Sequence, residues 1–150
     1  SVTPMFLLGV FFWLPVQMLA EIRRAEEKVP ETQALSLASY DIVAQQQRRI
    51  SIPRRFTVPM REMLALQPRF SHMRGRRAIK LLEHRRFRAA YDFMLLRAET
   101  GEVDEQIAQF WTDVQTQSAD QRVESFQLNA PPKKKRRPRG RRRRKKPQDS

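Results

Sequence analysis

Arginines are the residues in this chain whose type and spacing point most directly to chemistry. They occur in adjacent pairs, with further basic residues between the pairs. Residues 51–100 hold twelve Lys or Arg, eleven of them Arg, against four Asp or Glu. A planar guanidinium group can bind two phosphate oxygens at once and can stack on a nucleobase. Because four acids cannot neutralise twelve bases, the surplus must face solvent or an anionic ligand.

Phosphate binding is the role that we predict for this surplus, and a merely solubilising helix face is the alternative. In the alternative, the cations form salt bridges with Glu62, Glu83 and Asp92 and bind no ligand. The residues predicted to contact RNA phosphates in this block are Arg54, Arg55, Arg61, Arg69, Arg74, Arg76, Arg77, Lys80, Arg85, Arg86 and Arg88.

The last twenty residues form a second basic block of a different kind. Residues 131–150 hold twelve Lys or Arg, one Asp and no hydrophobic residue. Like charges at this density repel, and Pro and Gly interrupt helices, so we predict a disordered tail. Its phosphate contacts would weaken with salt and carry no sequence preference. The predicted RNA contacts of the tail are Lys133, Lys134, Lys135, Arg136, Arg137, Arg139, Arg141, Arg142, Arg143 and Arg144.

Groups that catalysis or metal binding would need are scarce. The chain has no cysteine, and neither His72 nor His84 has a second ligand at metal-binding spacing. The four glycines are scattered and form no phosphate loop. Asp104 and Glu105 are adjacent, but acids there are more simply the first turn of a helix. We therefore predict no catalytic residue, no metal site and no cofactor in this chain.

The net charge of +14 indicates a polyanionic partner, with nucleic acid favoured over an acidic membrane surface. Apolar residues follow helical spacing throughout, and no segment alternates with a period of two. The sequence therefore predicts an all-α fold, a compact domain of five to six helices followed by the disordered basic tail. We divide the chain into a helical pair at 1–50, an arginine-rich helical RNA-binding region at 51–118, and a Lys/Arg-rich tail at 119–150.

Three helix boundaries follow from single residues. Thr3 is predicted to cap the first helix and Thr57 the third, because a threonine side chain accepts a hydrogen bond from a free main-chain N–H. Pro68 should bend or shorten the third helix. The last helix is expected over residues 102–117, and the apolar pattern ends at about Ser118.

The apolar run at residues 4–20 has three interpretations. We favour a buried core helix, because the run is shorter than the roughly 20 apolar residues that a membrane span needs. A signal peptide would begin with basic residues, which are missing here. We therefore expect no membrane span, and membrane association through residues 4–20 remains an alternative.

One long segment resembles a known family. GRRAIKLLEHRRFRAAYDFMLLRAETG, residues 75–101, resembles the arginine-rich C-terminal region of bacterial poly(A) polymerases. The resemblance extends to SIPRRFTVPMREMLALQPRF at 51–70, to VTPMFLLGVFFWLP at 2–15 and to FWTDVQ at 110–115. It implies a role in adding adenylates from ATP to RNA 3′ ends, in mRNA polyadenylation and RNA decay.

The same resemblance implies that the chemistry lies elsewhere. The family's catalytic head, with a Gly-Ser motif and paired aspartates that bind magnesium, has no counterpart here, and the chain begins with Ser1. We expect an excerpt that is inactive alone, with ATP and magnesium bound only in the missing head. The implied partners are single-stranded RNA 3′ ends, without sequence preference, and RNA-decay proteins in the cytoplasm. The alternative is a helical adaptor whose tail docks on an acidic protein or ribosomal RNA.

Overall fold

The computed structural model describes residues 2–128 and places seven α-helices and one 3-10 helix in this range. No strand occurs among these residues, so the predicted all-α class is confirmed, with slightly more helices than expected. The elements are α1 (Pro4–Glu27), α2 (Glu31–Gln47), α3 (Arg54–Ala65), the 3-10 helix (Gln67–Ser71), α4 (Gly75–Leu82), α5 (Phe87–Glu99), α6 (Glu105–Val114) and α7 (Ala119–Ser125).

Helix α1 begins as predicted. The Thr3 hydroxyl accepts a hydrogen bond from the main-chain N–H of Phe6 at 3.3 Å, and Pro4 occupies the first turn, where no N–H is needed. The helix packs against α2 and α3. A side chain at Gly9 would collide with Met63 of α3, so this glycine permits the close approach of the two helices. The buried face of α1 consists of Gly9, Trp13, Val16 and Ala20.

The opposite face of α1 is apolar and exposed, so the predicted core helix is buried on one side only. By length and composition α1 could cross a membrane, and only 22% of its most apolar window is buried inside the protein. A core helix of a soluble protein passes the same test, which makes this weak evidence for a span. The exposed residues on this face recur at helical spacing and are Leu7, Val10, Phe11, Leu14, Met18 and Ile22.

The predicted cap at Thr57 is wrong. Helix α3 already begins at Arg54, behind Pro53, and Thr57 is buried inside the helix. Pro53 fixes a backbone angle suited to the residue before a helix, and Arg54 and Arg55 then complete a first turn that needs no threonine. Pro68 has the predicted effect, because α3 ends at Ala65 and a 3-10 helix follows.

An aromatic cluster holds the second half of the fold together. Phe70 of the 3-10 helix meets Trp111 of α6 edge to face, with ring centres 5.5 Å apart. Both side chains are fully buried. Edge-to-face packing adds stability beyond the burial of apolar area. The other members of the cluster are Phe87, Tyr91, Phe110 and Phe126.

The predicted disordered tail begins too early. Residues Ala119–Ser125 form α7, and Ser118 and Gln121 make a reciprocal capping box at its start. Phe126 is fully buried, and its carbonyl accepts a 2.8 Å hydrogen bond from the N–H of Gly75. This segment was missed because α7 buries no residue of its own and so shows no apolar periodicity. The remainder of the tail, from residue 129, lies outside the described residues.

Candidate RNA interface

Helix α4 carries the densest group of predicted contacts. Ala78 and Leu81 face the core, and the basic residues lie on the exposed side of the same short helix. Positions three or four residues apart share a helix face. No ion pair involves these cations among residues 2–128. The group, named here the α4 cations, comprises Arg74, Arg76, Arg77 and Lys80.

Three of the α4 cations, Arg74, Arg76 and Arg77, lie at the start of α4, where a helix normally favours the opposite charge, whereas Lys80 lies in the last turn. Gly75 begins the helix with a φ of 72°, and the first turn has neither a side-chain cap nor an acidic residue. Free main-chain N–H groups and the helix dipole both favour an anion at this end. Cations there cost stability on their own, and a bound phosphate would offset that cost.

Arg69 joins the α4 cations from the preceding 3-10 helix. Its guanidinium donates a long hydrogen bond of 3.5 Å to the carbonyl of Arg77, so its positive charge lies against α4. Arg69 is half-buried, whereas Arg76 and Arg77 are exposed. The structure thus brings five of the predicted residues together at one place.

Two further predicted residues, Arg85 and Arg86, share a single acid. Both lie in the turn between α4 and α5 and bind Glu62 of α3, at 2.6 Å and 3.1 Å. Burial by itself would raise the pKa of Glu62, but the hydrogen bonds from the two arginines outweigh burial and lower its pKa. Glu62 accepts one hydrogen bond from each guanidinium group, so both arginines keep N–H donors that this carboxylate does not use.

His84 closes the same turn. Its Nδ1 accepts a 3.0 Å hydrogen bond from the main-chain N–H of Arg86. Burial lowers the pKa of His84, and the positive charge of Arg69 lowers it further. The imidazole is therefore neutral at physiological pH and serves as an acceptor.

Three more of the predicted RNA contacts, Arg54, Arg55 and Arg88, are exposed on α3 and α5. Arg88 forms a 3.5 Å ion pair with Asp92, but 76% of the Arg88 side chain is exposed. Such exposed pairs stabilise little, so Arg88 stays available to a ligand. Arg54 is exposed at the first position of α3, and the exposed Arg55 lies over the ring of Phe56 at 4.8 Å.

Comparison with known families supports the resemblance noted in the sequence. The family model described as the polymerase A arginine-rich C-terminus matches residues 27–146. The chain belongs to this poly(A) polymerase family. It is 36% identical over 133 residues to poly(A) polymerase I of Escherichia coli O157:H7, and 35% identical over 133 residues to the Salmonella typhi enzyme. Both alignments cover 87% of this chain and 26% of the relative.

A more distant relative gives the same result. Poly(A) polymerase I of Haemophilus influenzae is 33% identical over 139 residues, which cover 89% of this chain and 30% of that protein. The chain thus spans between a quarter and a third of the length of these poly(A) polymerases. The family match extends across the α4 cations and into the basic tail, whose predicted contacts Lys133 to Arg144 lie outside the described residues.

One predicted contact of this family member has a structural role. Arg61 is half-buried and donates to the hydroxyl of Ser39 at 3.3 Å and to the carbonyl of Ser36 at 3.4 Å. Its guanidinium also lies 4.9 Å from the ring centre of Tyr40. These contacts tie α3 to α2 and engage the Arg61 guanidinium with groups of the protein itself.

Arg97 is an interior cation that the sequence did not distinguish from the surface ones. Its guanidinium donates to Glu102 and to Gln67, each at 3.1 Å, and lies 4.8 Å from the ring centre of Trp13. Trp13 donates to the same Glu102 carboxylate at 3.1 Å. Burial lowers the pKa of Arg97, which hydrogen bonding to Glu102 partly counteracts. This network joins α1, α5 and the 3-10 helix.

The described residues, 2–128, contain no cluster of three or more side chains that could ligate a metal ion. Asp104, one of the two adjacent acids, accepts a 2.8 Å hydrogen bond from the N–H of Gln106 and caps α6. Glu105 follows in the first turn, as expected for a helix start.

Proposed function

We propose that this chain is the RNA-binding C-terminal part of a poly(A) polymerase. It holds single-stranded RNA 3′ ends while adenylates from ATP are added by another part of a longer protein. The observation that carries the proposal is the group of exposed α4 cations, together with Arg69, that no described carboxylate neutralises. The proposal places the protein in mRNA polyadenylation and RNA decay in the cytoplasm.

The chemistry of the α4 cations suits a phosphate backbone better than a protein surface. Arginine forks match phosphate oxygens in pairs, and free N–H groups at the start of α4 add further donors. Phosphate contacts fix a strand in place but do not distinguish bases. RNA binding without sequence preference follows, as a polymerase that accepts many RNA 3′ ends requires.

Catalysis is proposed to lie outside this chain. Adenylate transfer with magnesium uses converging carboxylates, and the absence of any group of three His, Asp or Glu side chains placed to hold a metal ion among residues 2–128 supports this proposal. ATP and magnesium would bind in a part of the polymerase beyond this sequence. The chain alone would bind RNA but would not extend it.

The test is the simultaneous substitution Arg74→Ala, Arg76→Ala and Arg77→Ala, with binding of oligo(A) RNA measured over a range of salt concentrations. Loss of three phosphate contacts should weaken binding and reduce the salt slope by about 2. The charge-matched control changes three exposed arginines elsewhere to alanine, namely Arg24, Arg48 and Arg49. Equal effects of the two triple variants would refute a specific interface at α4.

The exposed face of α1 favours a second candidate function, docking on a membrane surface. Phe11 is 79% exposed and Leu14 65% exposed, on a helix that is otherwise held by α2 and α3. Sedimentation with uncharged phospholipid vesicles tests this, because the basic residues are not attracted to them, and Phe11→Asp and Leu14→Asp are expected to abolish sedimentation and leave RNA affinity unchanged. A wild-type protein that stays in the supernatant excludes this candidate.

A further inference from the structure

We propose that a cleft between the start of α1 and the start of α5 binds one nucleobase of the RNA together with its phosphate. The proposal rests on the proposed RNA-binding function and adds a base-binding subsite to it. The cleft has a volume of about 570 Å³. Sites for small organic ligands commonly measure about 300–1,000 Å³, so a nucleotide fits.

The floor of the cleft is an apolar surface held in a fixed position. Phe6 is half-buried and meets Phe93 edge to face, with ring centres 5.8 Å apart and an angle of 73°. Phe93 is buried in the core, so it supports one side of the Phe6 ring. Any of the four bases that stacks or lies flat against such a surface is stabilised there, because every base has a flat face. The other apolar lining residues are Val2, Met5 and Ala89.

The rim of the cleft is cationic. Arg85, Arg86 and Arg88 line it, and Asp92 is the only acid among the lining residues. Arg85 and Arg86 both bind Glu62 and Arg88 pairs with Asp92, but the side chains of Arg85 and Arg88 are 71% and 76% exposed and can reach a ligand. An apolar floor beneath guanidinium forks complements a flat base that carries a phosphate.

The position of the cleft favours an RNA strand over a lipid. The turn at residues 83–86 connects α4 directly to the rim, so a strand bound by the α4 cations lies within reach of the cleft. Guanidinium groups on the rim suit phosphate, and they can also stack on bases. A nucleotide uses both properties, whereas a lipid headgroup would use only the charge.

The experiment compares oligo(A) RNA with an abasic oligonucleotide of equal length and charge. Ala89→Leu fills the cleft without changing charge, and it should weaken oligo(A) binding about fivefold or more while leaving the abasic strand unaffected. Ala44→Leu, at an exposed position of α2, is the matched control and should change neither. Equal loss for both strands, or loss for neither, would overturn the subsite.

Two measurements keep the outcome interpretable. The Arg74, Arg76 and Arg77 triple variant should weaken the binding of both strands equally. If it weakens neither, the proposed RNA-binding function is wrong. If only Ala89→Leu lacks its expected effect, the subsite alone is wrong. Photo-crosslinking of the wild-type chain with an oligonucleotide containing 8-azidoadenine avoids any folding defect of a variant. Adducts on the peptide with Met5 and Phe6 are expected, and adducts confined to other peptides would overturn the proposal. The proposal would also be overturned if anionic vesicles bound at the cleft and did not displace oligo(A).

Discussion

The indole N–H of Trp111 donates a 2.7 Å hydrogen bond to the main-chain carbonyl of Phe70. Trp111 is fully buried on α6, and Phe70 lies in the 3-10 helix that precedes α4. The bond therefore connects the last long helix to the segment from which the α4 cations extend. Edge-to-face packing of the two rings reinforces the same connection.

Trp111→Phe should lower the free energy of unfolding by about 1–3 kcal/mol, because the buried Phe70 carbonyl loses its donor. Chemical denaturation followed by circular dichroism measures the loss. Phe110→Leu, at a half-buried neighbour, keeps that hydrogen bond and should cost less. If Trp111→Phe costs no more than Phe110→Leu, the hydrogen bond does not contribute to stability as argued.

Residues 119–128 should be required for folding, although the sequence pattern assigned them to a disordered tail. A chain that ends after residue 128 should unfold like the full chain. A chain that ends after residue 118 loses the buried Phe126 ring and the 2.8 Å bond from Gly75. Removing a buried phenylalanine commonly costs about 3–5 kcal/mol, and Phe126→Ala in the full chain should show a similar loss. Equal stability of the two truncated chains would contradict the packing of α7.

Helix positions were predictable wherever apolar periodicity was strong. Phe87, Tyr91 and Met94 repeat along one face with helical spacing, and all three lie in α5. Thr57 was misassigned because a helix start depends on which residue first adopts helical angles, and Pro53 decides that four residues earlier. The segment around α7 is held by one buried side chain, Phe126, so it has no repeating apolar pattern from which a helix could be predicted.

The candidate site was predictable as a charge surplus but not as a surface. Sequence spacing does not distinguish Arg76, which is exposed, from Arg61 or Arg97, which bind groups of the protein itself. Those contacts join helices that are far apart in the chain. The cleft beside Phe6 was missed for the same reason, because its walls come from residues more than eighty positions apart.

Glu62→Gln should strengthen RNA binding at low salt. The substitution removes one negative charge and also releases Arg85 and Arg86, which both bind this carboxylate. Glu83→Gln removes the same charge at an exposed position that forms no ion pair among residues 2–128, and it is the matched control. Binding of oligo(A) RNA should increase more for Glu62→Gln than for Glu83→Gln. Identical increases would show that the released arginines do not contact RNA.

Protein stability should fall as the pH drops below the ordinary histidine pKa of 6.5, and His84 should account for part of the loss. Burial lowers the pKa of His84 in the folded state, so the unfolded chain binds more protons in this pH range. Stability is then complete above about pH 7 and decreases as the pH falls through 6.5 toward the lower folded value. Unfolding free energies at several pH values measure the effect.

His84→Gln should reduce this pH dependence, since glutamine does not titrate. The same substitution at His72, which is exposed, is the matched control. His84→Gln also removes the Nδ1 acceptor of the Arg86 N–H, so its stability should be lower at every pH. A pH profile of His84→Gln that parallels the wild type would show that His84 is not responsible.

Deletion of residues 129–150 should reduce the salt dependence of RNA binding. The deletion removes twelve cations. If about half of them contact phosphates of a single strand, the slope of log K against log salt should decrease by about 4. The α4 cations would still provide their own smaller slope, so binding should persist at low salt.

The control is a second chain in which each of the twelve cations of residues 129–150 is replaced by glutamine, so that the length of the segment is kept. It should behave like the deletion, because charge and not length sets the slope. An unchanged slope in both chains would place all phosphate contacts in the helical domain.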